Sequence, residues 1–392
     1  MEKTPLSLRK YVAVFGPTNA GKSTLFNAIL GQDVSIVSDV EGTTTDPVTK
    51  AMELIPYGPI ALVDTAGLGD KGVLGKAREK KTRDILNRCD LVIYVRDVSL
   101  ADEETADFGK VPVVNVYTKC DIAGKETIED IKKKDADGVF VFEHTFDGLK
   151  ELREKMVSLL KKLDDEDETL LGNIVPTKGI VVLVIPIDSA APKGRLILPQ
   201  VQTIRDCLDH DIRAVATTVE MLDDTLASLK RIDLVVTDSQ AFRQVAEIVP
   251  DEIPLTSFSM LLANQKGKIT QLIKGTKVIP KLLDGDKILM LEACTHATTH
   301  DDIGKVKIPA LLQKNTGKNL EFVHFSGYDL PEDIEEYKLI IQCGGCMINK
   351  KAIQNRLALF EEKGIPVTNY GVVLAYLTGI LGRAEKVFEN KD

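Results

Sequence analysis

Val12-Ala13-Val14-Phe15-Gly16-Pro17-Thr18-Asn19-Ala20-Gly21-Lys22-Ser23-Thr24 is the stretch on which the reading of this chain turns. An apolar run breaks into Gly-x-x-x-x-Gly-Lys-Ser, and Leu25, Phe26, Ala28, Ile29 and Leu30 follow at helical spacing. The order predicts a buried strand, a tight glycine loop and a helix N-terminus, which is the layout of a phosphate cradle. Gly16 and Gly21 permit backbone angles that turn main-chain N–H groups toward an anion. The helix start adds unpaired N–H groups and the positive end of its dipole. Lys22 is placed to reach the β and γ phosphates of a nucleotide, and the Ser23 hydroxyl to ligate magnesium. Asn19, Ala20, Gly21 and Thr24 complete the expected loop contacts.

Working outward, Asp33 to Asp46 is too rich in Gly, Thr and Asp for a core element and reads as a loop. It holds Glu41-Gly42-Thr43-Thr44-Thr45-Asp46-Pro47, and Thr44 is the residue expected to reach magnesium and close over the γ-phosphate. Ala51 to Ile55 and Ile60 to Val63 read as a strand pair. The second ends in Asp64-Thr65-Ala66-Gly67, which offers a carboxylate near the metal and a flexible N–H, that of Gly67, against the γ-phosphate. Leu91 to Val95 and Val111 to Tyr117 are further strands. The latter runs into Thr118-Lys119-Cys120-Asp121, in which the Asp121 carboxylate can accept from guanine N1 and N2 while the Lys119 stem packs on the base. In this order the motifs predict a GTPase that uses GTP and magnesium. Leu68 stands where many GTPases place a water-orienting glutamine, so slow turnover is expected. A Ser-Ala-Lys-like base contact is not evident; Glu143-His144-Thr145-Phe146 occupies its neighbourhood. The helix Gly148 to Leu163, with Leu149, Leu152, Met156, Leu159 and Leu160 as an apolar stripe, closes this region.

Composition bounds the rest. A chain of 392 residues suggests two to three domains. Hydrophobic content of 44% and charged content of 28% are ordinary for a globular protein. No signal-peptide layout or bilayer-length apolar run is present, so a cytoplasmic protein without a membrane partner is expected. The net charge of −9 argues against nucleic acid as the main partner. Six cysteines in such a chain do not suggest a disulfide framework.

Beyond an acidic run at Asp164 to Glu168, short apolar strands alternate with amphipathic helices. The strands are Gly179 to Ile187, Ile212 to Thr217 and Ile232 to Val236; the helices are Leu198 to Leu208, Val219 to Leu229 and Ala241 to Ile248. The pattern predicts a parallel sheet wrapped by helices, with no catalytic constellation and with Cys207 as a small core residue. Alternation resumes after Lys268. The strand Lys287 to Glu292 leads straight into Ala293-Cys294-Thr295-His296, Asn319 to Phe325 is a second strand, and Tyr337 to Gln342 leads into Cys343-Gly344-Gly345-Cys346. If these strands are parallel, both cysteine motifs lie at one edge of the sheet, the edge where open α/β sheets bind ligands. Cys294, His296, Cys343 and Cys346 would then converge. Core cysteines, a structural zinc site and an iron–sulfur cluster all remain open at this point.

The fold class expected is thus α/β: three domains, each on a mostly parallel sheet with flanking helices, the P-loop domain first. The boundaries read as 1–165, 172–265 and 268–392. Asn19 within its loop resembles the potassium-dependent GTPases of the tRNA-modification and ribosome-assembly type, which implies a bound potassium ion. The whole chain resembles the FeFe-hydrogenase maturation GTPases, through the P-loop region, Val37-Ser38-Asp39-Val40 leading into Gly42-Thr43-Thr44-Thr45-Asp46-Pro47-Val48, and the two cysteine motifs. That resemblance implies an N-terminal GTPase domain, a central homodimerisation domain and a C-terminal domain with a 4Fe-4S cluster on Cys294, Cys343 and Cys346, His296 matching the family's first histidine. Gln342 departs from the family's second histidine. The implied role is a scaffold that receives a diiron precursor from two radical-SAM maturases and hands it to apo-FeFe-hydrogenase. The alternative is a translation-associated or tRNA-modification GTPase with a structural zinc domain.

Overall fold

Strand β1, Lys10–Phe15, is apolar along nearly its whole length and is buried on both faces. Val12 and Val14 face one hydrophobic cluster, and Tyr11, Ala13 and Phe15 the other. A strand covered on both sides needs a continuous apolar run rather than alternation, and such a run belongs at the centre of a parallel sheet. The computed structural model describes residues 4–31, 38–40, 48–65, 82–100, 106–164, 169–187, 194–292, 303–328 and 330–389. It divides into two compact units, Met1–Glu166 with Asn349–Ala352, and Asp167–Ile348 with Ile353–Asp392.

In the first unit the further strands are β2 (Ser38–Val40), β3 (Val48–Leu54), β4 (Gly58–Asp64), β5 (Leu91–Asp97), β6 (Val113–Thr118) and β7 (Val139–Phe140). They form one sheet in the order β2-β3-β4-β1-β5-β6-β7. β1 pairs in parallel with β4 and β5, and β6 and β7 continue the parallel run. β3 is antiparallel to β4, as expected of a strand pair joined by a short turn, and β2 adds an antiparallel edge. Helix Lys22–Gly31 buries Leu25, Phe26, Ala28, Ile29 and Leu30 against the Val12 face. Each large apolar side chain buried there contributes roughly 1.5–3 kcal/mol. Helix Leu149–Leu163 starts after Gly148 and buries Leu149, Leu152, Met156 and Leu160. Leu159, expected in the same stripe, lies at its margin and is only partly buried.

The second unit holds two separate four-stranded parallel sheets. One has the order β11-β10-β8-β9, with β8 at Ile180–Val184, β9 at Arg213–Thr217, β10 at Leu234–Thr237 and β11 at Leu255–Ser257. β8 stops short of the expected Ile187, because Pro186 has no N–H to continue the ladder. β9 is an edge strand with Arg213, Ala214 and Ala216 exposed. The other sheet has the order β13-β12-β14-β15, with β12 at Lys287–Glu292, β13 at Glu321–Ser326, β14 at Leu339–Gln342 and β15 at Val367–Asn369. Arg383, from the last turns of the chain, donates to the carbonyls of Val249 and Ile253 at 3.0 and 3.1 Å, tying this region to the loop before β11.

Candidate functional site

The parallel register brings the carboxyl ends of β1, β4, β5 and β6 to one sheet edge. Val14 is the partner of Asp64, Phe15 of Tyr94, and Asp97 of Thr118. The glycine loop leaves β1 at Gly16, where φ is +152° and a Cβ would lie 2.2 Å from the Val95 carbonyl oxygen. Any other residue would drive the loop off β5. Asn19 also has a positive φ, 61°, a conformation asparagine tolerates better than most residues. The Lys22 side chain is buried and curls back, with Nζ donating to the carbonyls of Gly16 at 2.9 Å and Pro17 at 2.6 Å. Its ammonium is thereby held inside the loop. Ser23 Oγ donates to Asp64 Oδ2 at 3.2 Å, so the hydroxyl and carboxylate expected at magnesium meet directly. That oxygen pair fits a hard divalent cation. Ala20 is buried, while Ser23 and Thr24 are exposed at the helix start.

The end expected to read the base is braced from two sides. Thr118 Oγ1 donates to the Ala20 carbonyl at 2.7 Å, joining the Thr-Lys-x-Asp loop to the glycine loop. Lys119, at φ 58°, sets Nζ 2.7 Å from Asp97 Oδ2. Burial would push the Asp97 carboxyl up, yet hydrogen bonds from Lys119 and Ser99, with the lysine charge, hold it below the usual carboxylate range. Asp121 is exposed and accepts a hydrogen bond from the His144 N–H at 3.3 Å. The turn Phe142–Phe146, to which the sequence assigns no role, therefore stands at Asp121, the aspartate expected to read the base. Glu143 Oε1 is buried without a hydrogen-bond partner, 2.8 Å from where a Cβ on Gly21 would sit. A main-chain donor leaves no side-chain signature, so the bond from His144 to Asp121 could not be read from the sequence. Asp97 could have been noticed as a polar residue ending an apolar strand. Thr44 and Gly67 lie outside the described residues, as does Leu68.

In the last sheet, β12 and β14 are parallel and adjacent, with Leu291 opposite Gln342. The Cys343 N–H donates to the Leu291 carbonyl at 2.8 Å, which extends the ladder by one bond and fixes Cys343 beside the end of β12. Cys343 and Cys346 are both partly exposed. Cys89, Cys120 and Cys207 are buried; burial pushes their thiols up to about 12, about 11 and about 12. Two partly exposed thiols on a glycine loop, apart from three core thiols, suit a thiolate-held metal group at this sheet edge. Gln342 is buried at the end of β14. Glu292, one residue past Leu291, accepts from the Tyr370 hydroxyl at 3.5 Å and is a described carboxylate at the same edge. Cys294 and His296 lie outside the described residues, and among those described no group of three metal-ligating side chains gathers.

Comparison with known families matches residues 170–267 to the hydrogen maturase F dimerization domain and residues 270–387 to the hydrogen maturase F tetramerization domain. Together these cover more than half of the chain. The chain belongs to the hydrogen maturase F family. Residues 11–119 match the 50S ribosome-binding GTPase family, so this maturase F chain carries a P-loop GTPase domain at its N-terminal end. The matched pair of assembly domains also marks it as a chain that associates with copies of itself. Among curated relatives, it is 33% identical over 166 residues to a tRNA modification GTPase of Treponema denticola, covering 38% of this chain and 35% of that protein. It is 36% identical to the GTPase Der of Wolinella succinogenes, covering 34% of this chain and 30% of that one. The chain thus spans about a third of the length of these relatives. Among solved structures, the G domain of the T. maritima FeoB iron transporter is 29% identical with a TM-score of 0.30, covering 39% of this chain and 99% of that one. No helix among the described residues is long and apolar enough to cross a membrane.

Proposed function

We propose that this chain is a slow, GTP-hydrolysing carrier that holds a 4Fe-4S cluster and delivers a diiron precursor to apo-FeFe-hydrogenase, working with two radical-SAM maturases. The observation that carries the reading is the parallel pairing of β12 with β14, which sets Cys343 beside the strand end from which Cys294 follows. The proposed domains are 1–165 for GTP, 172–265 for dimerisation and 268–392 for the cluster. In the first, Lys22 offsets phosphate charge, Ser23, Asp64 and Thr44 serve magnesium, the Gly67 N–H meets the γ-phosphate, and Asp121 reads guanine against the Lys119 stem. Asn19 is proposed to hold potassium in place of an arginine finger. With leucine at position 68 the attacking water has no side-chain amide to orient it, so turnover is slow. The exposed edge β9 offers unpaired backbone groups for the homodimer contact.

In the third domain Cys294, Cys343 and Cys346 are proposed to hold the cluster, with His296 or a carboxylate such as Glu292 proposed as the ligand of the remaining iron. Held by three thiolates and a weaker ligand, such a cluster has one iron whose outer position exchanges. GTP influences delivery only to the extent that it binds two conformations of the chain unequally.

Protein purified without oxygen tests the reading. Iron and sulfide at about four each, with a paramagnetic signal after reduction that is lost in Cys343→Ser, is the expected result. About one zinc and no sulfide after reconstitution sinks it and favours a GTPase with a structural zinc domain.

A further inference from the structure

Lys266 is the last residue of the helix Phe258–Lys266, and its side chain is buried at 4% exposure. A lysine ammonium is costly to bury unless its donors are used. Here Nζ donates to the Gly345 carbonyl at 2.8 Å and to the Ile348 carbonyl at 3.0 Å. Those two carbonyls bracket Cys346. The Ile348 N–H also donates to the Gly345 carbonyl at 3.1 Å, so residues 345–348 form a turn with Cys346 and Met347 at its centre. The Gly345 oxygen therefore accepts from the turn's own amide and from the lysine. On the near side, Gly345 sits at φ +65°, and a Cβ there would lie 2.5 Å from Ile353 Cδ1. The turn is clamped between a packed isoleucine and a buried cation.

We propose that Lys266 is a positioning residue for Cys346: it locks the cysteine turn before any metal is present and sets a fixed positive charge beneath the thiolates. The charge part rests on the cluster reading above; the lock does not. Thiolates gathered at one point repel one another, and a buried ammonium in a low-dielectric setting offsets that repulsion. The same charge favours the reduced, more negative state of a bound cluster. The lock also joins a helix within the dimerization match to a loop within the tetramerization match, which gives the two regions a direct mechanical link at the cysteines.

The test compares Lys266→Met, Lys266→Gln and Lys266→Arg in the full chain. In the metal-free protein, amide hydrogen exchange of Ile348 is expected to speed up at least tenfold in the methionine variant, with β12 amides unchanged and the arginine variant near wild type. In the reconstituted protein, the midpoint potential is expected to move to more negative values in the methionine and glutamine variants and to stay in place in the arginine variant. Unchanged exchange at Ile348 overturns the lock. Equal acceleration in β12 and at Ile348 also overturns it, since that marks general loss of packing. Should the methionine variant fail to fold, the glutamine variant carries both readouts. A potential that does not move overturns the charge role while leaving the exchange result to decide the lock. A failure to assemble any cluster in the wild type, with Ile348 exchange still dependent on Lys266, assigns the fault to the cluster reading alone.

Discussion

Thr118 Oγ1 donates to the Ala20 carbonyl at 2.7 Å, across 98 residues of sequence. The bond ties the Thr118–Asp121 loop to the glycine loop. Both groups are buried. Thr118→Val keeps the shape and removes the donor, leaving a buried carbonyl unpaired at a cost of about 1–3 kcal/mol. Guanine nucleotide affinity, read by titration with a fluorescent GDP, is expected to fall roughly ten- to hundredfold. Affinity equal to wild type means that the two loops are held together by other contacts.

Asp121 is exposed, with its carboxylate oriented by the His144 N–H at 3.3 Å. A carboxylate accepts from guanine N1 and N2, whereas an amide at that place can donate to the second carbonyl of xanthine. Hydrogen bonds to charged groups contribute about 1.5–3 kcal/mol each, so Asp121→Asn is expected to lower GTP affinity at least about a hundredfold and to raise that for XTP. Competition between the two nucleotides measures the exchange of preference. Parallel loss of both shows that position 121 is not the base reader.

The Asp97–Lys119 pair has a pH signature. The folded-state pKa of Asp97 is lowered, so its contribution to stability is present above the unfolded carboxylate value of about 3.9 and is lost as pH falls through the folded value. Asp97→Asn is expected to reduce stability near neutral pH by about 1 kcal/mol and to lose less stability than wild type as the pH falls below about 4. Denaturant midpoints at several pH values report it. A pH dependence identical to wild type removes the pair from the stability account.

Thiol accessibility separates the cysteines. In the metal-free native chain, a disulfide reagent at pH 8 is expected to label Cys343 and Cys346 rapidly. Cys89, Cys120 and Cys207 are buried and protonated at that pH, and should react only after unfolding. Mass mapping of the labelled peptides decides it, and early labelling of Cys207 contradicts the described packing.

Gly16 tolerates no side chain, because a Cβ would lie 2.2 Å from the Val95 carbonyl oxygen at a φ of +152°. Gly16→Ala is expected to abolish measurable nucleotide binding while shifting the melting temperature downward. Calorimetry with GDP checks the first effect and thermal unfolding the second. Retained binding shows that the loop can leave β5 without losing its ligand.

Much of the candidate nucleotide site is local chemistry, and its meeting at one sheet edge was legible in the residues. Gly16 to Ser23, Asp64 and Thr118 to Asp121 each end an apolar strand, and a parallel sheet brings its strand ends to one edge. The parallel pairing of β12 and β14 followed from the same alternation, which is why Cys343, at the end of β14, lies beside the end of β12. Strand limits were less legible: β3 begins at Val48 because pairing with β4 continues past the apolar run.

What the sequence by itself determined is therefore the set of side chains and backbone turns whose chemistry is local, because motif spacing fixes strand, loop and helix start together. Tertiary structure alone decided the bracing: Asp97 against Lys119, the His144 N–H at Asp121, and Lys266 under the Cys346 turn, 79 residues away. A lysine ending a helix looks solvent-facing in any one-dimensional reading. Only packing shows that its charge is buried, because the partners that satisfy it are main-chain carbonyls, which every residue carries and no sequence pattern distinguishes.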